Sequence, residues 1–181
     1  RRGTSLCRSL RGWVSNMMSL ARGLAIVVAC SVVSPTAWAG ASAARQAGVF
    51  KKVFTFNKAL RGKKVQVLAA YDDATKAAID DVVGGFSSKG ISAKAVPIGD
   101  LAAEVGPGKV VYVLSDGAGT LCAEKKVLSI TGDVALVKAG KVSVSVNDMG
   151  GKMVISVHLA RTKSEGQVFA PTFLKLAKVI R

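Results

Sequence analysis

The chain has 181 residues, with 26 Lys and Arg against 11 Asp and Glu, one histidine and three cysteines. One histidine and so few cysteines exclude a multi-histidine metal site and a cysteine cage for a metal. Basic residues that are scattered rather than interleaved with aromatics exclude a single-strand nucleic-acid groove.

The first informative stretch is a leader. Arg22 precedes Leu24 to Val33, ten residues without a charge, followed by Pro35 and the small-x-small pair Ala37-Trp38-Ala39. A basic flank, a short apolar run and small residues at a cleavage point make a secretory signal over residues 17–39, cut before Gly40. The apolar run is well short of the ~20 residues that a membrane-crossing helix needs, so no integral span is expected. Met17-Met18 place the start of translation, and residues 1–16 read as an upstream extension. Val27-Val28-Ala29-Cys30 also matches the pattern before a lipidated cysteine, but lipidation there would leave Val32-Val33 and a second cleavage site without use.

The working domain is therefore expected to be residues 40–181, exported to the periplasm, with 21 Lys and Arg against 11 Asp and Glu and a net charge of +10. That length is enough for one domain with its own core. Cys122 is the one cysteine left to it, so no intrachain disulfide is expected, and its small-residue setting marks a buried hydrophobe. The scattered charge reads as a solvated face with some attraction for acidic partners.

Along this domain, Val49, Phe50, Val53, Phe54 and Phe56 recur at spacings of three and four, which predicts a helix within residues 41–60. Val65 to Ala70 reads as a buried strand. Asp73 is placed to cap a helix from Ala74 to Phe86, in which Gly84-Gly85 either end the helix early or allow close packing. A second strand runs from Ile91 to Ile98, a short helix from Asp100 to Val105, and the most apolar strand from Val110 to Leu114. Residues 117–126 make a small-residue helix or loop, Val127 to Ile130 a fourth strand, and Val134 to Lys138 a short helix behind Asp133. Strands alternating with helices at this spacing predict a parallel sheet covered on both faces. From residue 141 the period becomes two: Val142, Val144 and Val146 alternate with Ser143, Ser145 and Asn147, and Met153 to His158 follows a Gly-rich turn. That is an antiparallel hairpin, expected at the edge of the sheet. Phe169, Phe173, Leu176, Ala177 and Ile180 are spaced as the stripe of a closing helix, with Pro171 in its first turn. The expected class is α/β: a three-layer sandwich with a mostly parallel, Rossmann-like sheet, a C-terminal hairpin and a closing helix.

Val110 to Leu114, Val127 to Asp133 with the hairpin behind it, and the ending from Gly166-Gln167-Val168-Phe169-Ala170-Pro171-Thr172-Phe173 through Ile180 together resemble the YfiR/HmsC-like family of periplasmic proteins over residues 48–181. The resemblance implies an exported α/β domain without catalytic chemistry. It further implies dimerisation and contact with an inner-membrane sensor protein, a diguanylate cyclase, so that the chain would lower cyclic-di-GMP and biofilm output. Ala170-Pro171-Thr172 stands where the family carries paired serines, and one cysteine cannot reproduce an intrachain redox disulfide.

The candidate chemistry lies just past the strand ends, where open parallel sheets bind ligands. Asp72, Asp73, Ser115, Asp116, Thr131 and Asp133 form the candidate ligand crevice, with Asp73 and Asp133 alternatively acting only as helix caps. No catalytic, cofactor-binding or metal-binding residue is assigned. His158, between Val157 and Leu159, reads as a packing residue, Gly-x-Ser-x-Gly is absent, and Gly117-Ala118-Gly119-Thr120 lacks the length and lysine of a phosphate loop. Phe50, Val53 and Phe54 with the outer hairpin surface form the candidate interface. Two functions follow: a periplasmic regulator acting by protein contact, or a small-ligand-binding, solute-binding-like domain.

Overall fold

Strands as continuously apolar as Val67–Ala70 and Val110–Val113 must be covered on both faces, and the chain supplies that cover by alternating them with helices. The computed structural model describes residues 43–181. The leader, its cleavage point, Cys30 and residues 1–16 lie outside the described residues, so nothing in the structure bears on them. Among the described residues no helix is long and apolar enough to cross a membrane.

Helix α1 spans Ala43–Phe56 and strand β1 Gln66–Tyr71. A 3-10 turn, Lys76–Ala78, leads into α2, Ile79–Ser87, and then β2, Ser92–Pro97. Helix α3, Leu101–Glu104, precedes β3, Lys109–Val113, and α4, Gly119–Glu124, precedes β4, Leu128–Thr131. Helix α5, Val134–Lys138, leads to the hairpin β5, Val144–Met149, and β6, Lys152–His158. Two short helices, α6 at Leu159–Ser164 and α7 at Pro171–Leu174, carry the chain to β7, Lys178–Ile180. The sheet order is β2-β1-β3-β4-β5-β6-β7, parallel throughout except for the antiparallel β5–β6 pair. This is the expected α/β class, a mostly parallel sheet flanked by helices with an antiparallel hairpin near its C-terminal end.

Alternation along β3 splits the core in two. Val110 and Tyr112 join Phe50, Phe54, Val82 and Phe86 beneath α1 and α2, while Val111 and Val113 join Leu101, Cys122 and Val137 beneath α3, α4 and α5. Phe50 stands at the centre of the first layer, edge-on to Tyr112 at 6.1 Å and tilted against Phe86 at 6.0 Å. The candidate interface residues Phe50, Val53 and Phe54 are therefore core: they are no more than 5% exposed and offer no surface to a partner protein. Their spacing marks the buried stripe of α1, and the sheet is what covers it.

Three local expectations change. Asp73 caps nothing. Instead the Asp72 carboxylate accepts from Thr75 N at 2.9 Å, and the chain passes through a 3-10 turn before α2 begins at Ile79. The hairpin does not edge the sheet, because β7 pairs in parallel with β6 outside it. The closing helix stops at Leu174, since the β-branched Val179 and Ile180 complete β7 rather than a further helical turn.

Candidate functional site

The strand order places the topological switch point between β1 and β3: the chain leaves β1 for β2 on one side and returns to β3 on the other. Sequence-expected residues Asp72, Asp73, Ser115 and Asp116 all follow these two strands, and Thr131 and Asp133 close and follow β4. The crevice residues are thus brought to one edge of the sheet, but most are occupied with local structure. Asp72 accepts from the Thr75 amide and from the Thr75 hydroxyl at 2.8 Å. The neighbouring Ser115 hydroxyl and then Thr75 hold its carboxyl below the usual aspartate range, although Ser115 Oγ itself has no hydrogen bond of good geometry. Asp116 pairs with Lys141. Asp133 Oδ1 accepts from Ala135 N at 2.7 Å as the cap of α5, and Thr131 Oγ1, fully buried, accepts from Asp133 N at 3.1 Å. Asp73 is exposed. Carboxylates engaged in a turn, a cap and an ion pair stabilise backbone ends and leave little to recognise a ligand.

The one histidine also has a local task. His158 Nδ1 accepts from Arg161 N at 3.2 Å at the start of α6. Among the described residues no three His, Cys, Asp or Glu side chains gather as metal ligands.

A buried polar hub lies beneath α6. Glu165, fully buried, accepts from Ser129 N at 2.9 Å, Ser143 Oγ at 2.6 Å and Arg161 Nε at 3.0 Å, and from the Ser129 hydroxyl. Burial pushes its carboxyl up, against the pull of these donors. Arg161 also donates to Gly119 O, so the hub ties α6, α4, β4 and the start of β5 together. Ser129 and Ser143 face inward because this side of the sheet is covered too, which the alternation of Val and Ser alone did not reveal.

At the opposite edge of the sheet, before β1 and β2 begin, the described residues enclose an open cavity of about 840 Å³. Its apolar wall is Phe54 and Phe56 from the last turn of α1, Leu60, and the two residues Val65 and Ile91 that enter β1 and β2. Its rim is cationic: Lys51, Lys58, Arg61, Lys63 and Lys64, with no carboxylate in the lining. The loop that carries most of these cations is anchored at its root. Buried Asn57 donates from Nδ2 to Gln167 Oε1 at 2.9 Å and accepts at Oδ1 from Ala59 N at 2.9 Å, while Lys58 N donates to Val168 O at 2.9 Å. Gly62, at φ +75°, allows the turn that follows. Sequence reasoning read these lysines as dispersed charge. The signal that could have found the site is that no acidic residue occurs before Asp72, while Phe54, Phe56 and Leu60 fall among the cations.

No family model and no curated protein sequence matches the chain. Among solved structures, the ABC domain in complex with L-Trp from Streptococcus pneumonia is similar, with a TM-score of 0.55 at 13% identity, covering 77% of this chain and 60% of that one. A conserved domain protein from Vibrio cholerae is similar with a TM-score of 0.53 at 9% identity, over the same shares of the two chains. The chain thus spans about 60% of the length of these structures, and what it shares with them is the fold. These findings overturn the resemblance to the YfiR/HmsC-like family, and the diguanylate-cyclase, cyclic-di-GMP and biofilm roles that it implied fall with it. The segments that suggested it are strand cores and the α7 turn, whose apolar spacing serves the sheet in any α/β domain of this kind.

Proposed function

We propose that the chain is an exported small-ligand-binding domain of the solute-binding kind, acting by binding rather than catalysis. The observation that carries this reading is the cavity between the end of α1 and the entries of β1 and β2. Its volume of about 840 Å³ falls within the range of small-molecule sites, and it joins an aromatic and aliphatic wall to a few polar groups, as such sites do. Support comes from the likeness in fold to a domain solved with L-Trp bound. The acids of the switch-point crevice, engaged as a cap, a turn and an ion pair, move the expected site from that edge of the sheet to the other.

The test is a thermal-shift screen of the full chain against amino acids, fatty and aromatic carboxylates, sugars and nucleotides. It is repeated on Thr55→Trp, which sets an indole at the cavity mouth from an exposed position of α1. A ligand that raises the midpoint of the natural chain and not of T55W supports the reading. A screen in which nothing shifts the midpoint, or in which T55W responds as the natural chain does, refutes it.

A further inference from the structure

Resting on that reading, we infer that the cavity selects a small amphiphilic anion, with its charged head on the Lys58–Lys64 loop and its apolar body against Phe54, Phe56 and Ile91.

Of the five rim cations, Lys51 is committed, its ammonium donating to Lys89 O at 2.8 Å across to the end of α2. The other four, Lys58, Arg61, Lys63 and Lys64, are exposed, and none forms a salt bridge with a described residue. Lys94 and Lys109, by contrast, share Glu104. Four unneutralised cations around one concavity repel one another, and an anion placed among them removes that repulsion.

One feature opposes an anion: α1 ends at the cavity, and the C-terminal end of a helix carries roughly half a negative charge. Two of its last carbonyls are already engaged, Phe54 O by Asn57 N at 3.2 Å and Phe56 O by Ala170 N at 3.0 Å. Half a charge, partly satisfied, does not outweigh four full cations. The balance favours an anion.

The floor decides what the anion is attached to. A fully hydrated inorganic ion gains nothing from Phe54, Leu60 and Ile91, which are buried, or from Phe56, which is half-buried and stacked on Phe173 at 5.5 Å. An alkyl or aryl body does gain, at roughly 25 cal/mol for each Å² removed from water. Arg61, Lys63 and Lys64 crown a recess rather than a projecting face, which fits a single molecule entering head-outward better than a flat membrane surface.

The experiment titrates the full chain, by calorimetry below the micelle concentration, with decanoate, decyl phosphate and decyltrimethylammonium. The expected result is that both anions bind, the cation binds at least tenfold more weakly, and rising salt weakens the anions alone. The triple variant R61Q/K63Q/K64Q alters exposed side chains only, so its thermal midpoint should hold while its affinity for decanoate falls at least tenfold. Equal affinity for the anions and the cation, or an unchanged affinity in the triple variant, overturns the inference while leaving ligand binding intact. Phosphatidylglycerol vesicles that capture the chain when monomeric decanoate and decyl phosphate do not bind also overturn it, in favour of a membrane surface. Failure of ligand binding itself is read separately, from the T55W screen.

Discussion

Gly85 of α2 lies against the backbone of Ala43 so closely that a Cβ there would come within 2.6 Å of the Ala43 carbonyl carbon. Gly84, its neighbour in the same helix, has open space at that position. The pair of glycines that weakens α2 as a helix therefore divides its roles: Gly85 allows α1 and α2 to touch, and Gly84 is a cost without a contact. Gly84→Ala should stabilise the fold by roughly 0.5–1 kcal/mol, the helix-propensity difference. Gly85→Ala should destabilise it by about 1–3 kcal/mol, because backbone rather than a flexible side chain must move. Urea unfolding of the two variants checks this, and equal shifts would remove the close-contact argument.

Glu165 and Arg161 give a second pair of expectations. Glu165→Ala leaves the guanidinium and two buried hydroxyls without their acceptor, and should cost about 3–5 kcal/mol in urea unfolding, where a loss below about 1 kcal/mol would show that the hub is not a stabilising one.

The pH dependence follows from the direction of the Glu165 shift. Its folded carboxyl titrates above the usual value of 4.5, chiefly through burial, so the folded state holds a proton that the unfolded state has lost in the interval between the two values. Stability contributed by the protonated group is therefore full below pH 4.5 and is lost as pH rises through the folded value. Asp72 and Glu104 act in the opposite sense, their carboxyls being held low, with stability lost as pH falls through their folded values. The difference in unfolding free energy between the natural chain and Glu165→Gln cancels those two and should decline from pH 4.5 upward, then level. A difference that grows with pH would mean that the four donors outweigh burial.

What the sequence made legible was whatever depends on local period. Apolar runs at Val67–Ala70 and Val110–Val113 gave central parallel strands, the stripe through Phe50, Val53 and Phe54 gave α1, and Asp133 gave the cap of α5. Three things escaped because they depend on tertiary partners. Leu176 and Ile180 keep helical spacing with Phe173, yet only the free edge of β6 decides that Lys178–Ile180 is a strand. Glu165 carries no sequence signal of burial, because Ser129, Ser143 and Arg161 close over it only in the fold. The cationic cavity needed the entries of β1 and β2 to come together, which places Val65 beside Ile91 although 25 residues lie between them in the chain. The six expected crevice residues lie at one sheet edge, but local period does not show that Asp72 is taken up by a turn, Asp133 by a cap and Asp116 by an ion pair.

Cys122 offers a direct measurement of the second core layer. It is the fully buried residue of α4, and burial, with the nearby Glu165 charge, pushes its thiol up to about 12. At pH 8 the thiol then stays protonated, and only the thiolate reacts. Iodoacetamide at pH 8 should therefore leave the native chain unmodified at this residue, as read by peptide mass spectrometry, and label it fully in urea. Rapid native labelling at Cys122 would show that α4 opens readily from the sheet.

Asn57 joins the stability of the fold to the proposed site. Its side chain is fully buried at the end of α1, holding the Ala59 amide with its oxygen and Gln167 Oε1 with its nitrogen, and Gln167 in turn donates to Lys126 O at 3.0 Å. The root of the Lys58–Lys64 loop is thus bonded to the segment that enters α7, while the cationic heads remain in solvent. Removing the amide in Asn57→Ala leaves Gln167 Oε1 and the Ala59 amide unpaired, a loss of about 1–3 kcal/mol for each buried group that finds no new partner. The variant should stay folded, with a lower thermal midpoint, and should bind any ligand of the cavity more weakly, because the loop then pays an ordering cost on binding that the natural chain pays on folding. In calorimetry that cost should appear as a less favourable binding entropy with little change in the salt dependence, since the cations themselves are untouched. A variant with a lowered midpoint and unchanged binding would separate the anchor from the site and show that the loop keeps its shape without Asn57.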